Sequence, residues 1–171
     1  MRINSEKGIG LVPLILIIVA IIIIGAVVTG IVVINKHKNK EPITVESFKN
    51  TMQEKNYEVY DVKDSLFSDF DQIEKAYIAI KGNDIYQIEF YKLRSEDDAV
   101  YIYNINKTKF EAYKSSSSIE TTTSIGNNSK YTLTTNDKYK VISRVADTAI
   151  YLDVDTEYKD EVKAILKELG Y

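Results

Sequence analysis

The sequence predicts an α+β protein: one N-terminal transmembrane helix, then an antiparallel sheet with about three packed helices in the order αβββαβββα. Three features carry this prediction. From Gly8 to Ile34 there are 27 residues without a charge, dominated by Ile, Val and Leu. As helix, at about 1.5 Å per residue, they reach roughly 40 Å, enough to cross a hydrocarbon core of about 30 Å. Further on, Gly82-Asn83-Asp84 separates two runs of alternating hydrophobicity, a hairpin signal. Near the C-terminus, Tyr158, Val162, Ile165, Leu166 and Leu169 recur on one helical face, and Gly170 follows as a C′ residue.

Between these landmarks the elements follow in order. Residues 1–7 form a short basic tail, 8–35 the anchor and 36–42 a basic juxtamembrane linker; residues 43–171 form the α+β domain. Thr44 can cap a first helix whose buried face holds Val45, Phe48 and Met52. Tyr57 to Val62 reads as a strand and Lys63 to Asp71 as a polar loop. Ala76 to Lys81 and Ile85 to Leu93 form the hairpin, with Ile78 and Ile80 expected on the same core face as Ile88 and Phe90. Ser95 followed by Glu96, Asp97 and Asp98 is a capping serine with acid in the first turn, so a second helix follows through Tyr113. The Ser/Thr tract 115–129 has few large apolar residues and is expected to be a flexible loop. Tyr131 to Thr135, Tyr139 to Val145 and Ala149 to Val154 complete the strands. Tyr77, Asn83-Asp84, Tyr86 and Ile88 are echoed by Tyr131, Asn136-Asp137, Tyr139 and Val141, a spacing that fits either an internal duplication or convergence on one kind of hairpin.

Composition removes most familiar chemistries. The 171 residues include no cysteine and one histidine, His37, so disulfides, thiolate metal sites and imidazole-dependent triads are excluded. Isolated glycines provide no phosphate-binding loop. Residues 41–171 carry 24 acidic and 17 basic side chains, net −7, while residues 1–40 carry +4. A domain so acidic does not suit nucleic acid, whose phosphates call for a basic face. No cofactor and no catalytic activity are expected.

The leader Met1 to Gly8, ending in Lys7-Gly8 ahead of Ile9 and a continuous aliphatic run, resembles the N-terminus of type IV prepilins and pilin-like proteins. That resemblance implies cleavage after Gly8 and packing of the apolar helix in a fibre, although Pro13 stands where pilins carry glutamate. More loosely, the domain beyond the anchor resembles small membrane-anchored domains of Gram-positive bacteria, which implies no activity. The flanking charges, Arg2 and Lys7 against Lys36, Lys38 and Lys40, are nearly balanced and do not fix orientation. A short basic tail, an uncleaved anchor and a domain beyond it give the expected reading: a single-pass membrane protein with an extracytoplasmic binding or sensing domain and a protein or cell-wall partner. A pilin-like assembly or secretion subunit is the first alternative. A cytoplasmic-facing regulatory or scaffold domain is the second.

Two sets of residues are candidate contacts. Lys36, Lys38 and Lys40 are placed to touch lipid headgroups. Tyr77, Gln87, Glu89 and Tyr91 are expected to share the sheet face opposite Ile78, Ile80, Ile88 and Phe90, forming a binding face wherever no helix covers them. Asp153, Asp155 and Glu157 alternate as at the start of a calcium loop. Tyr158 and Ala164 then stand where that loop needs glycine and glutamate, so these acids are read as the N-terminal turn of the last helix.

Overall fold

The computed structural model describes residues 39–82 and 85–171. The predicted anchor at 8–35 lies outside the described residues, as do Lys36, Lys38 and the turn residues Asn83 and Asp84. Among the described residues no helix is long and apolar enough to cross a membrane.

The order is α1 (Val45–Glu54), β1 (Tyr57–Asp61), α2 (Lys63–Leu66), β2 (Ile73–Lys81), β3 (Tyr86–Leu93), α3 (Glu96–Glu111), β4 (Ile119–Ile125), β5 (Asn128–Thr135), β6 (Lys138–Val145), β7 (Thr148–Asp155), a 3₁₀ turn (Thr156–Tyr158) and α4 (Lys159–Glu168). The seven strands form one antiparallel sheet in the order β1-β2-β3-β7-β6-β5-β4. The α3 connection therefore carries the chain from β3 to the far edge at β4, and the β4–β7 meander returns to the middle, where β7 lies between β3 and β6.

Local chemistry sets the helix ends. Thr44 Oγ1 accepts the Ser47 amide at 3.1 Å, and Ser95 Oγ accepts the Asp98 amide at 3.1 Å, so both expected caps form. At the end of α4, Gly170 adopts φ +82°. Its amide donates to the Lys167 carbonyl at 3.1 Å and the Tyr171 amide to the Leu166 carbonyl at 2.7 Å, a Schellman closure that a side chain at position 170 would strain. Asn136 and Asp137, both with positive φ, make the two-residue turn between β5 and β6.

Two layers of helix cover the sheet unequally. On one face α1 and α4 bury Phe48, Met52, Val162, Ile165 and Leu166 against Ile88, Phe90, Ile150 and Leu152. Phe48 stacks on Phe90 with ring centroids 4.8 Å apart. On the other face α3 lays Ala99, Tyr103 and Phe110 over Tyr131, Leu133, Ile142 and Ala149. Thus α3 is the one long helix on a seven-stranded face, joined there by the single-turn α2 and Phe67, and part of that face stays open.

Three expectations need correction. The tract 115–129 is not a loop: Ile119–Ile125 pairs along its whole length with β5, because Thr121, Thr122 and Thr123 are β-branched and a strand needs only one partner to form an edge. The segment 63–71, read as loop, contains the single-turn helix α2. Finally, Ile78 and Ile80 do not share a face with Ile88 and Phe90. Lys81 pairs with Tyr86, so the connection has four residues, 82–85, and Tyr77 faces Phe90 across the pair while Ile78 faces Glu89. Ile85 belongs to the turn, and one extra turn residue exchanges the two faces of β2. The β5–β6 turn has two residues, so Tyr77 enters the core under α1 and α4 whereas Tyr131 enters the one under α3. Tyr77 and Tyr131 are therefore not equivalent in the fold, whereas Tyr86 and Tyr139 share the core under α1 and α4.

Candidate functional site

The open part of the α3 face is where concave surface collects. On it β3 presents Gln87, Glu89 and Tyr91, β7 presents Tyr151 and Asp153, and β2 presents Ile80, all at alternate positions with their neighbours in the opposite core. Two recesses meet there, sharing Glu89 and Tyr151. The larger, about 540 Å³, lies between the 67–73 segment and α3; its walls include Phe67, Phe70, Tyr91, Tyr101, Ile102 and Ile105, with Lys109 among its lining residues. The smaller, about 360 Å³, is lined by Ile80, Ile85, Gln87, Lys138, Asp153 and Asp155 among others. Together they form a groove with an aromatic end and an acidic end.

The aromatic end is built by packing of α2 and its following loop onto β3. Phe67 meets Tyr91 edge-on at 5.6 Å and Phe70 at 5.9 Å. Phe110 from α3 stacks on Tyr151 at 5.0 Å, fixing that ring in the floor. Phe70 and Tyr101, on opposite walls, are 50% and 58% exposed. Leu66 is exposed on α2 beside this wall, so the groove is bordered by apolar surface in contact with water.

Glu89 sits at the junction. The Tyr91 hydroxyl donates to its Oε2, and Gln87 Nε2 donates to its Oε1 at 2.8 Å. Neither donor is charged, and among the described residues Glu89 has no ion-pair partner. Asp153 is instead held by the buried Lys140 ammonium, and Asp155 by Lys138 at 2.6 Å. The Tyr91 phenol is pushed far above its ordinary range, first by burial and then by the Glu89 charge it touches. Tyr151 is pushed up to about 12 by burial and by the negative field of Glu89 and Asp153. Both phenols therefore stay protonated through the physiological range, and Tyr91 acts only as a donor to Glu89.

Of the predicted binding face, Gln87, Glu89 and Tyr91 come together in this groove. Tyr77 does not: it lies in the opposite core, displaced by the four-residue turn. The residues that sequence reasoning missed, Tyr151, Phe67 and Tyr101, come from segments far apart in the chain, and only the central placement of β7 beside β3 unites them. The hint available in sequence was the alternation of Tyr151 and Asp153 with Ile150 and Leu152. Lys40, expected at lipid headgroups, donates from Nζ to the Gly170 carbonyl at 2.8 Å. Asp155 precedes the 3₁₀ turn as anticipated, yet its carboxylate pairs with Lys138 and makes no capping bond. Among the described residues no group of three or more acidic or imidazole side chains could hold a metal ion.

A third recess, of about 340 Å³, lies across α3, where Tyr103, Lys107, Thr122, Ser129 and Arg144 meet. Its two cations are already engaged: Lys107 with Glu111 at 2.8 Å and Arg144 with Glu96 at 3.1 Å. Comparison with known proteins finds no matching family model, no matching curated protein and no matching solved structure.

Proposed function

We propose that this chain is a single-pass membrane-anchored protein whose small α+β domain works outside the cytoplasm as a binding or sensing module without turnover, with the groove on the α3 face as its binding seat. The observation that carries the reading is the groove itself, a concavity with an aromatic wall and one carboxylate that has no cation of its own among the described residues. Concave, mostly apolar sites with a few convergent polar groups are where small ligands bind. Absence of turnover rests on composition, since the chain lacks cysteine and its single histidine is His37, beside the anchor. The anchor rests on the charge-free run from Gly8 to Ile34. Export rests on the arrangement of tail, anchor and domain, because long domains translocate largely regardless of flanking charge.

Protease added to intact, wall-stripped cells tests the orientation. Degradation of the domain is expected; degradation only after lysis replaces this reading with a cytoplasmic regulatory or scaffold role. The assembly-subunit reading is favoured by Lys7-Gly8-Ile9 alone, and N-terminal mass spectrometry decides it. A mature chain beginning at Ile9 supports assembly, whereas an intact leader on the membrane form removes its main support.

A further inference from the structure

Six of the eighteen aromatic rings among the described residues carry one of the domain's own lysines. Lys49 lies 5.7 Å from the Tyr77 ring centroid, Lys81 4.8 Å from Tyr57, Lys107 5.5 Å from Tyr131, and Lys140 4.5 Å from Tyr113. Lys159 and Lys163 both approach Tyr139. Among the described residues no lysine or arginine takes such a position over Phe67, Phe70, Tyr91, Tyr101 or Tyr151, the rings of the groove. Beside these rings stands Glu89, a half-buried carboxylate whose hydrogen bonds come only from a phenol and an amide. A carboxylate offers about four acceptor sites, so two remain. The groove thus combines the two features by which proteins hold organic cations: negative ring faces and an unneutralised carboxylate, both partly shielded from water. Of the two cations in its lining, Lys109 is exposed to solvent, where its repulsion is screened, and Lys138 is paired with Asp155.

Resting on the groove as binding seat, we propose that its ligand is a small organic ammonium ion with an apolar body, the cation held at the Glu89 carboxylate and the body packed against Phe67, Tyr91, Tyr101 and Tyr151. A volume of about 540 Å³ admits a molecule of this size.

The test uses the full chain in a neutral detergent with isoleucine methyls labelled for NMR. Ile73, Ile102 and Ile105 line the groove, and Ile165 in the opposite core is the control. Three probes of one shape class are titrated: benzyltrimethylammonium, neutral benzyl alcohol and anionic benzoate. The cation is expected to move the three groove methyls, not Ile165, at concentrations where the other probes do not. Glu89→Gln should bind it at least about tenfold more weakly, the loss typical of a hydrogen-bonded charge removed from a shielded site. Tyr101→Ser, at an exposed ring outside the hydrophobic core clusters, should weaken it about threefold or more through lost ring contact. If benzyl alcohol or benzoate moves the groove methyls as strongly as the cation, the ligand class is wrong while the groove survives as a binding seat. If no probe moves them, both readings fail together.

Discussion

Lys140 and Asp153 form a pair whose two members should respond very differently to mutation. The Lys140 side chain is 6% exposed, enclosed by Asp153 and by the rings of Phe110 at 5.5 Å and Tyr113 at 4.5 Å, whereas the Asp153 side chain is 34% exposed at the groove's acidic end. Asp153→Ala leaves a buried ammonium without its carboxylate. Breaking a buried pair in this way costs about 3–5 kcal/mol. The two aromatic faces remain and return about 1 kcal/mol, so the expected loss is about 2–4 kcal/mol. Lys140→Met keeps the aliphatic stem in its packing and leaves Asp153 facing water, so its cost should be about 1 kcal/mol or less. Urea unfolding of the full chain in neutral detergent, followed by tyrosine near-ultraviolet circular dichroism, measures both. If Lys140→Met proves as costly as Asp153→Ala, the assignment of Lys140 as the buried, dependent partner is wrong. The result also bears on the groove, because Lys140 is what neutralises Asp153 and leaves Glu89 the carboxylate without a cation.

Phe48→Ala removes one of only two buried side chains by which α1 docks, together with its stack on Phe90, and should cost about 3–5 kcal/mol in the same unfolding assay. Tyr57, Tyr86, Tyr91, Tyr151 and Tyr171 all titrate upward, chiefly from burial, and Tyr86 and Tyr151 are each pushed up to about 12. Above the unfolded value near 10 the unfolded chain releases protons that the native one retains, so stability is fully present below about pH 10 and falls as pH rises through the folded values. Phenolate absorbance should accordingly show a group of tyrosines that ionise only as the domain unfolds; a single uniform titration near pH 10 would contradict these burials. Hydrogen exchange across residues 119–125 should show alternate amides protected, as an edge strand bonded on one side requires, and uniform loop-like exchange would refute β4.

Much of the fold was legible because its signals are local. Thr44, Ser95 and Gly170 announce helix ends through side-chain or backbone chemistry confined to one turn, and the structure uses each as expected. The alternation in 86–93 and 149–154 is likewise local, and both segments are strands. What was not legible depends on registers and neighbours. Counting Ile85 in the turn rather than the strand reverses which residues of β2 face which core, and nothing in Gly82-Asn83-Asp84 distinguishes a turn of three residues from one of four. The threonines of β4 are polar enough to read as loop, and their β-branching becomes decisive only once β5 is beside them. The groove needs β3 next to β7 and α2 folded over Tyr91, long-range facts that no window of sequence contains.

The central claim is that the groove faces the outside of the cell and is open there. Because the chain contains no cysteine, Lys109→Cys places a single thiol among the groove's lining residues. A membrane-impermeant maleimide should label this variant on intact, wall-stripped cells as fully as it does after lysis. Labelling that appears only after lysis would place the groove on the cytoplasmic side and contradict the account.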